Sequence, residues 1–427
     1  MMTAPLNISE PERRPSILRG ARTQLVLLAI AMALAGYVRT ATGPLQESIK
    51  LGMGLSDNQI SFLQGAVVGL PIMLSAVPLG MAIDRFTRVI LLRWLAIICL
   101  LANFATTAAP TYEALVVARG LAGVAALSII PVILSLLADL FPASARGKAI
   151  SAAMFGQVAG SSLAFALGGA LLTAVGSEGD GWRSAMLWLT AISLPLVILL
   201  FCIAEPARKP REDSNAGADA PFDRVKLLLL ACGVIAMETA VGAVLIWAAP
   251  TLAREFALAP SSIGVAMGAA MLVSGIFGPV AGGFLADQTY KRGGVRFACL
   301  ALGGLSLLCV PLALYTLPAS PAVAIALLIA SITMMLATAV FGITLFTIIA
   351  PAHRLGLFNS ILMAGVLFSA LAIAPFAVSL LAGRIGGDAQ IGVAMSLVCV
   401  GASLLSAICF GLGGMTRSPH DMKRQDR

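Results

Sequence analysis

The stretch Gly80-Met-Ala-Ile-Asp84-Arg85-Phe-Thr-Arg88 returns 203 residues later as Gly283-Phe-Leu-Ala-Asp287, followed by Lys291 and Arg292. Each copy closes a long apolar run. Upstream of each, LSDNQI (55–60) and APSSIG (259–264) align at the same offset, Ile60 to Ile263. Further on, FPASARGKA (141–149) faces APAHRLGLF (350–358), with Pro142 and Pro351 separated by 209 residues. Chance does not hold several spaced motifs at a common offset, so the chain reads as two related halves.

Composition says what the halves are made of. Of 427 residues, 59% are hydrophobic and 11% charged, and the mean hydropathy is +0.97. An ordinary soluble domain carries about 25% charged residues, and its surface must stay largely polar. A cytosolic enzyme, a disordered chain and a disulfide scaffold are therefore excluded. A spanning helix needs ~20 apolar residues, and roughly 30–35 with its connection, so the length accommodates about twelve. Apolar runs occur near 23–46, 59–81, 89–108, 112–137, 147–173, 184–203, 225–250, 261–285, 294–316, 320–350, 355–382 and 389–414. The expected fold is all-α, with twelve transmembrane helices in two pseudosymmetric six-helix bundles.

The polar stretches divide the chain into a tail (1–22), a first bundle (23–203), a linker (204–224), a second bundle (225–414) and a second tail (415–427). Of the 28 Lys and Arg, 22 lie in the tails or in the connections after spans 2, 4, 6, 8 and 10. Lys50, Arg183, Arg254 and Arg384 fall on the opposite side, and Arg39 and Arg119 lie inside spans. By the positive-inside rule both termini and the linker are expected in the cytoplasm. The pI of 9.4 is thus a topology signal, and no nucleic acid partner is expected. The seven cysteines lie within apolar runs without a C-x-x-C pair, and His353 and His420 have no ligand-type neighbours. No metal and no cofactor are expected. With two histidines and no paired catalytic carboxylates, a membrane-embedded enzyme is not expected either.

The G-x-x-x-D-R-x-x-R loop, its copy after span 8, Arg119-Gly120-x-x-Gly123 in span 4, the P-x-x-x-R-G connection at Pro142–Gly147 and Trp182-Arg183 resemble the major facilitator superfamily. Within it, GYVRTATGPLQ (36–46), RGLAGVAALS (119–128) and ADLF (138–141) are most similar to the Spinster-like group, with the anion:cation symporters as relatives. Spinster-like proteins usually carry a Glu where this chain has Ala126, and an acidic residue where it has Val38. Their coupling carboxylate and lipid substrates are therefore not carried over.

The resemblance implies a membrane-edge latch. Gly80 and Gly283 would permit close helix packing. Asp84 would meet the start of span 11 near Leu355, and Asp287 would meet span 5. Arg85, Arg88, Asp139 and Arg146 would join the network. The plainer reading is a basic turn that serves topology alone.

Three ionisable residues lie deep in apolar runs: Arg39 in span 1, Arg119 in span 4 and Glu238 in span 7. A midplane Arg costs roughly +2.5–3.5 kcal/mol even on permissive scales, so such groups are functional candidates by default. The 203-residue offset maps Arg39 onto Gly242, one turn from Glu238. The resemblance implies that spans 1, 4, 7 and 10 line a central cavity. Burial disfavours a charged carboxyl, so Glu238 reads either as a proton carrier or as the partner of an Arg. Arg119 reads either as a coupling residue, by the resemblance, or as a tether to backbone carbonyls. With two arginines against one carboxylate, the cavity favours an anion held by a guanidinium fork. Tyr37, Gln157, Trp247 and Phe341 are flanking candidates, with packing as the alternative. Gly156, Gly160, Gly168 and Gly169 in span 5, and Gly275, Gly278 and Pro279 in span 8, suit close helix approach.

The expected activity is secondary active transport by alternating access, moving a small organic anion or amphipathic metabolite with protons. The rival is export of neutral or lipophilic compounds. A small-molecule substrate, the lipid bilayer, a monomer and a bacterial inner membrane complete the expectation.

Overall fold

The computed structural model describes residues 14–207, 223–317, 320–351 and 354–416. Both histidines, most of the linker, the second tail after residue 416 and the first thirteen residues lie outside that set.

Apolar runs become helices because only a helix satisfies its own backbone in oil. Ten helices among the described residues are long and apolar enough to span a membrane, and a bent pair over Asp57–Arg85 adds one more. The longest, Pro260–Leu312, contains two spans, since Gly293 and Gly294 leave helical geometry (φ −145° and +64°). That break sits in the basic connection expected after span 8 and brings the count to twelve. The others run Arg14–Thr40, Arg88–Ala108, Tyr112–Leu140, Ala143–Val175, Gly181–Leu199, Arg224–Phe256, Pro321–Ile349, Leu355–Ile385 and Ile391–Met415.

The duplication is visible in the caps. Ser56 and Ala259, 203 residues apart, precede spans 2 and 8 as N-caps, and Thr111 and Ser320, 209 apart, precede spans 4 and 10. Ser56 forms a full capping box with Gln59, the local signal that starts a helix.

Span 1 departs from expectation. Instead of running through 46 it stops at Thr40, turns through Gly43-Pro44 and resumes as a short helix, Gln46–Met53. Pro44 lacks an N–H and fixes its φ, which explains the stop. We call Gln46–Met53 the elbow helix and its side of the protein the elbow face. The side carrying the termini and linker is the tail face. Residues Ala249–Phe256, equivalent by the 203-residue offset, remain continuous helix.

Within the first half span 1 packs on spans 4, 5 and 6; within the second half span 7 packs on spans 10, 11 and 12. The halves meet along spans 5 and 8 and along spans 2 and 11. The first seam is close because its residues are small. A Cβ on Gly169 would fall 2.3 Å from the Pro260 carbonyl oxygen, and one on Gly264 would fall 2.6 Å from that of Phe165. On the second seam both partners carry a π-turn, Phe62–Ala66 in span 2 and Ser369–Ile373 in span 11. There a Cβ on Gly65 would meet the Leu371 carbonyl oxygen at 2.0 Å, and Ser61 donates to Pro375 O (3.0 Å) and Ser379 Oγ (2.8 Å).

Candidate functional site

Where span 1 stops, the carbonyls of its last turn have no partner within the helix. Arg119 of span 4, 1% exposed, supplies one: Nη2 donates to Arg39 O at 3.1 Å and Nη1 to Val38 O at 3.4 Å. A guanidinium suits a helix C-terminus because that end carries the negative pole of the macrodipole. Of the two readings of Arg119, the tether to carbonyls is the one whose bonds are present. Its hold falls on the residue that bears the Arg39 side chain.

Arg39 itself is half-buried, and its Nε is buried without a hydrogen-bond partner. Glu238 is half-buried near the middle of Arg224–Phe256 and forms no ion pair among the described residues. Its standing as a permanent partner of Arg39 or Arg119 is therefore corrected. One turn away, Thr239 bonds Ser369 of the span 11 π-turn. In the first half the π-turn does the corresponding job: Gln64 accepts from Thr42 Oγ1 at 2.9 Å and donates to Thr42 O at 3.2 Å.

The flanking candidates divide. Tyr37 is buried and donates to Leu189 O at 3.0 Å, a bond between spans 1 and 6. Trp247 is buried and donates to Pro375 O at 3.2 Å, joining spans 7 and 11. Phe341 is buried in the second half's apolar cluster. These three occupy packing positions. Gln157 is half-buried, and its carbonyl oxygen lies against Gly36, where a Cβ would approach to 2.1 Å.

The gating candidates also separate. A Cβ at Gly80 or Gly283 would meet nothing within 4 Å, so neither glycine serves close packing, contrary to expectation. The tail ends of spans 2 and 8 stand clear of neighbours there. Asp84 and Arg85 are exposed. Arg88 is 3% exposed and bonds Asp139 of span 4, Ser135 (Oγ at 3.2 Å) and Glu205 after span 6 (2.9 Å). It therefore ties spans 3, 4 and 6 of its own half together and does not reach Leu355. Arg146 donates to Ala138 O at 3.0 Å, capping the end of span 4. Asp287 is exposed and has no polar partner among the described residues, so its expected contact with span 5 is absent.

Sequence reasoning missed the elbow face. Arg254, Glu47, Lys50, Asp57 and Asp388 form one charged cluster there. The available signal was that Lys50 and Arg254 break the positive-inside pattern while Glu47 and Asp57 flank Lys50 in sequence.

Comparison with known proteins places this geometry. The family described as Major Facilitator Superfamily matches residues 28–247, which include Arg39, Arg119 and Glu238. The multidrug efflux pump LfrA of Mycolicibacterium smegmatis is 34% identical over 181 residues, 42% of this chain and 31% of that protein. The chain thus aligns with about a third of that relative's length. Among solved structures, a bacterial homologue of the human lysosomal transporter Spinster, inward-facing and unoccupied, superposes with a TM-score of 0.77 at 18% identity, covering 96% of this chain and 100% of the other. A bacterial homologue of the iron transporter ferroportin gives 0.67 at 16% identity, with 93% and 100% covered. The nucleoside transporter NupG gives 0.68 at 10% identity, with 91% and 99% covered.

Proposed function

Because this chain belongs to the major facilitator superfamily, and is thereby a multi-pass membrane transporter rather than an enzyme, we propose that it moves a small organic anion or amphipathic metabolite with protons. The carrying observation is a pair of ionisable side chains that do not neutralise anything in sight. Arg39 keeps a buried, unpartnered Nε, and Glu238 sits in the middle of span 7 without an ion pair among the described residues. An unpaired charge in the membrane interior is retained at high cost. A substrate carboxylate on Arg39 and a proton on Glu238 would each offset that cost during the cycle.

The assignment of roles follows the chemistry. Arg39 presents fixed donors in a fork that matches a carboxylate, and Arg119 holds the backbone beneath it. Glu238 exchanges a proton as the surrounding space gains and loses water. In a bacterial inner membrane, with the tail face cytoplasmic by the positive-inside rule, the elbow face is periplasmic.

The test is flux in proteoliposomes across a panel of small carboxylates, with and without a pH difference. Arg39→Ala removes a charged hydrogen-bond donor worth about 1.5–3 kcal/mol, so the substrate KM should rise by ~10–100-fold with the protein still folded. A carboxylate flux unaffected by Arg39→Ala would overturn the anion assignment. A second reading, export of a neutral or lipophilic compound, is favoured by the similarity to a protein named as a multidrug efflux pump. Export of a neutral dye that is indifferent to Arg39→Ala would select it.

A further inference from the structure

The densest polar construction among the described residues lies away from Arg39 and Glu238, on the elbow face, and crosses between the halves. Arg254, two residues before the end of span 7, reaches both oxygens of Glu47 from Nε (3.0 Å) and Nη2 (2.7 Å). It also reaches both oxygens of Asp57 from Nη1 (2.9 Å) and Nη2 (2.8 Å). Nη1 further approaches Asp388 O at 3.3 Å within its own half. Lys50 crosses in the other direction: it pairs with Asp57 at 2.8 Å in its own half and with the Asp388 carboxylate in the second. The ring of Trp247 lies 5.9 Å from the Arg254 guanidinium.

Each half therefore lends a cation to carboxylates of the other. Bidentate guanidinium–carboxylate bonds are the strong, directional kind. The side chains of Lys50, Asp57 and Arg254 are 10%, 8% and 14% exposed, so salt and water screen them less than surface pairs. The other polar contacts across the seam are neutral: Ser61 to Pro375 and Ser379, Ser162 to Gly268 O (2.6 Å) and the Ser261 amide to Thr173 (3.0 Å). Parting the halves on the elbow face breaks four Arg254 bonds and the Lys50–Asp388 pair together. It leaves Glu47 and Asp57 sharing Lys50 alone.

We propose that Glu47, Lys50, Asp57, Arg254 and Asp388 are the lock that holds the elbow face closed, with Arg254 as its central member. The elbow helix carries two of the five residues across the seam. It can lie there because span 1 breaks at Gly43-Pro44, where the matching segment of span 7 runs straight on. This goes beyond the transport reading and does not depend on what is carried.

The experiment uses the full chain in nanodiscs without substrate, with native cysteines replaced and spin labels at Glu178 and Ala322, exposed positions on the elbow face of opposite halves. The parent protein should show one short distance population. Arg254→Gln should raise a longer, open population about tenfold or more. Arg254→Lys should fall between them, because an ammonium cannot fork onto two carboxylates. Glu47→Gln, which removes two of the four bonds, is the milder variant and decides the matter if Arg254→Gln does not fold. A second label pair at Lys148 and Arg292, exposed on the tail face, separates rocking from unfolding: a folded variant keeps a narrow distribution there. Parent-like elbow distances in both Arg254→Gln and Glu47→Gln overturn the lock and leave the transport reading untouched.

Discussion

Glu238→Gln uncouples transport from the pH difference. A one-unit pH difference supplies about 1.4 kcal/mol per proton, a tenfold concentration ratio of substrate at one-to-one stoichiometry. The parent protein in proteoliposomes should approach that ratio. The Gln variant should only equilibrate substrate, while exchange of labelled for unlabelled substrate continues. The asymmetry between the two assays is the diagnostic part. Gln keeps the size and hydrogen-bonding capacity of the protonated acid but cannot release a proton, so loading and reorientation survive while energy transfer does not. Glu238 makes no ion pair among the described residues, so the substitution strands no buried cation and should leave thermal stability near that of the parent. A variant that still accumulates substrate to the parent ratio would remove Glu238 from coupling.

Two valine substitutions in one helix should have opposite consequences. Gly160 and Gly169 both belong to Ala143–Val175, and both pack against backbone. At Gly160 a Cβ would lie 2.0 Å from Ala33 O, inside the first half. At Gly169 it would lie 2.3 Å from Pro260 O, across the seam. Overpacking ordinarily costs about 1–3 kcal/mol and more where backbone must move, against a total stability of ~5–15 kcal/mol. Gly160→Val has no relief except separating spans 1 and 5, so it should lower the melting temperature sharply or abolish monodisperse expression. Gly169→Val finds relief by parting the halves. It should fold, lengthen the Glu178–Ala322 distance and slow transport. Equal melting losses in both would mean that the span 5–8 seam is as permanent as the interior of a bundle.

The span pattern was readable because oil imposes a single rule on every segment: an apolar stretch of sufficient length must close its own hydrogen bonds. The run expected at 112–137 is the helix Tyr112–Leu140, and that expected at 89–108 is Arg88–Ala108. Repeat arithmetic was equally durable, since duplicated caps at Ser56 and Ala259 start duplicated helices. What apolarity cannot report is an interruption inside an apolar stretch. Gly43-Pro44 lies within one, and hydropathy alone merges the two helices that the pair separates. Partnership was harder still. Arg88 looked like a latch because its motif ends in Arg, yet its partners Asp139 and Glu205 arrive from 51 and 117 residues away in the same half. Likewise, Glu47 and Arg254 are separated by 207 residues, and only the folded seam makes them neighbours.

The π-turn at Phe62–Ala66 has a rotational consequence for the duplicated loops. A π-turn takes up one more residue than an α-turn, and each residue of an α-helix advances about 100° around its axis. Span 2 contains this extra residue between Ile60 and Gly80, whereas helix continues unbroken from Ile263 to Gly283 in span 8. Counting residues keeps the two copies aligned, but azimuth does not: by the time the chain reaches Asp84 its side chain has lost phase with Asp287 by roughly a quarter turn. Letters that coincide in an alignment thus point along different bearings, and what one aspartate does in its bundle cannot be inherited by the other.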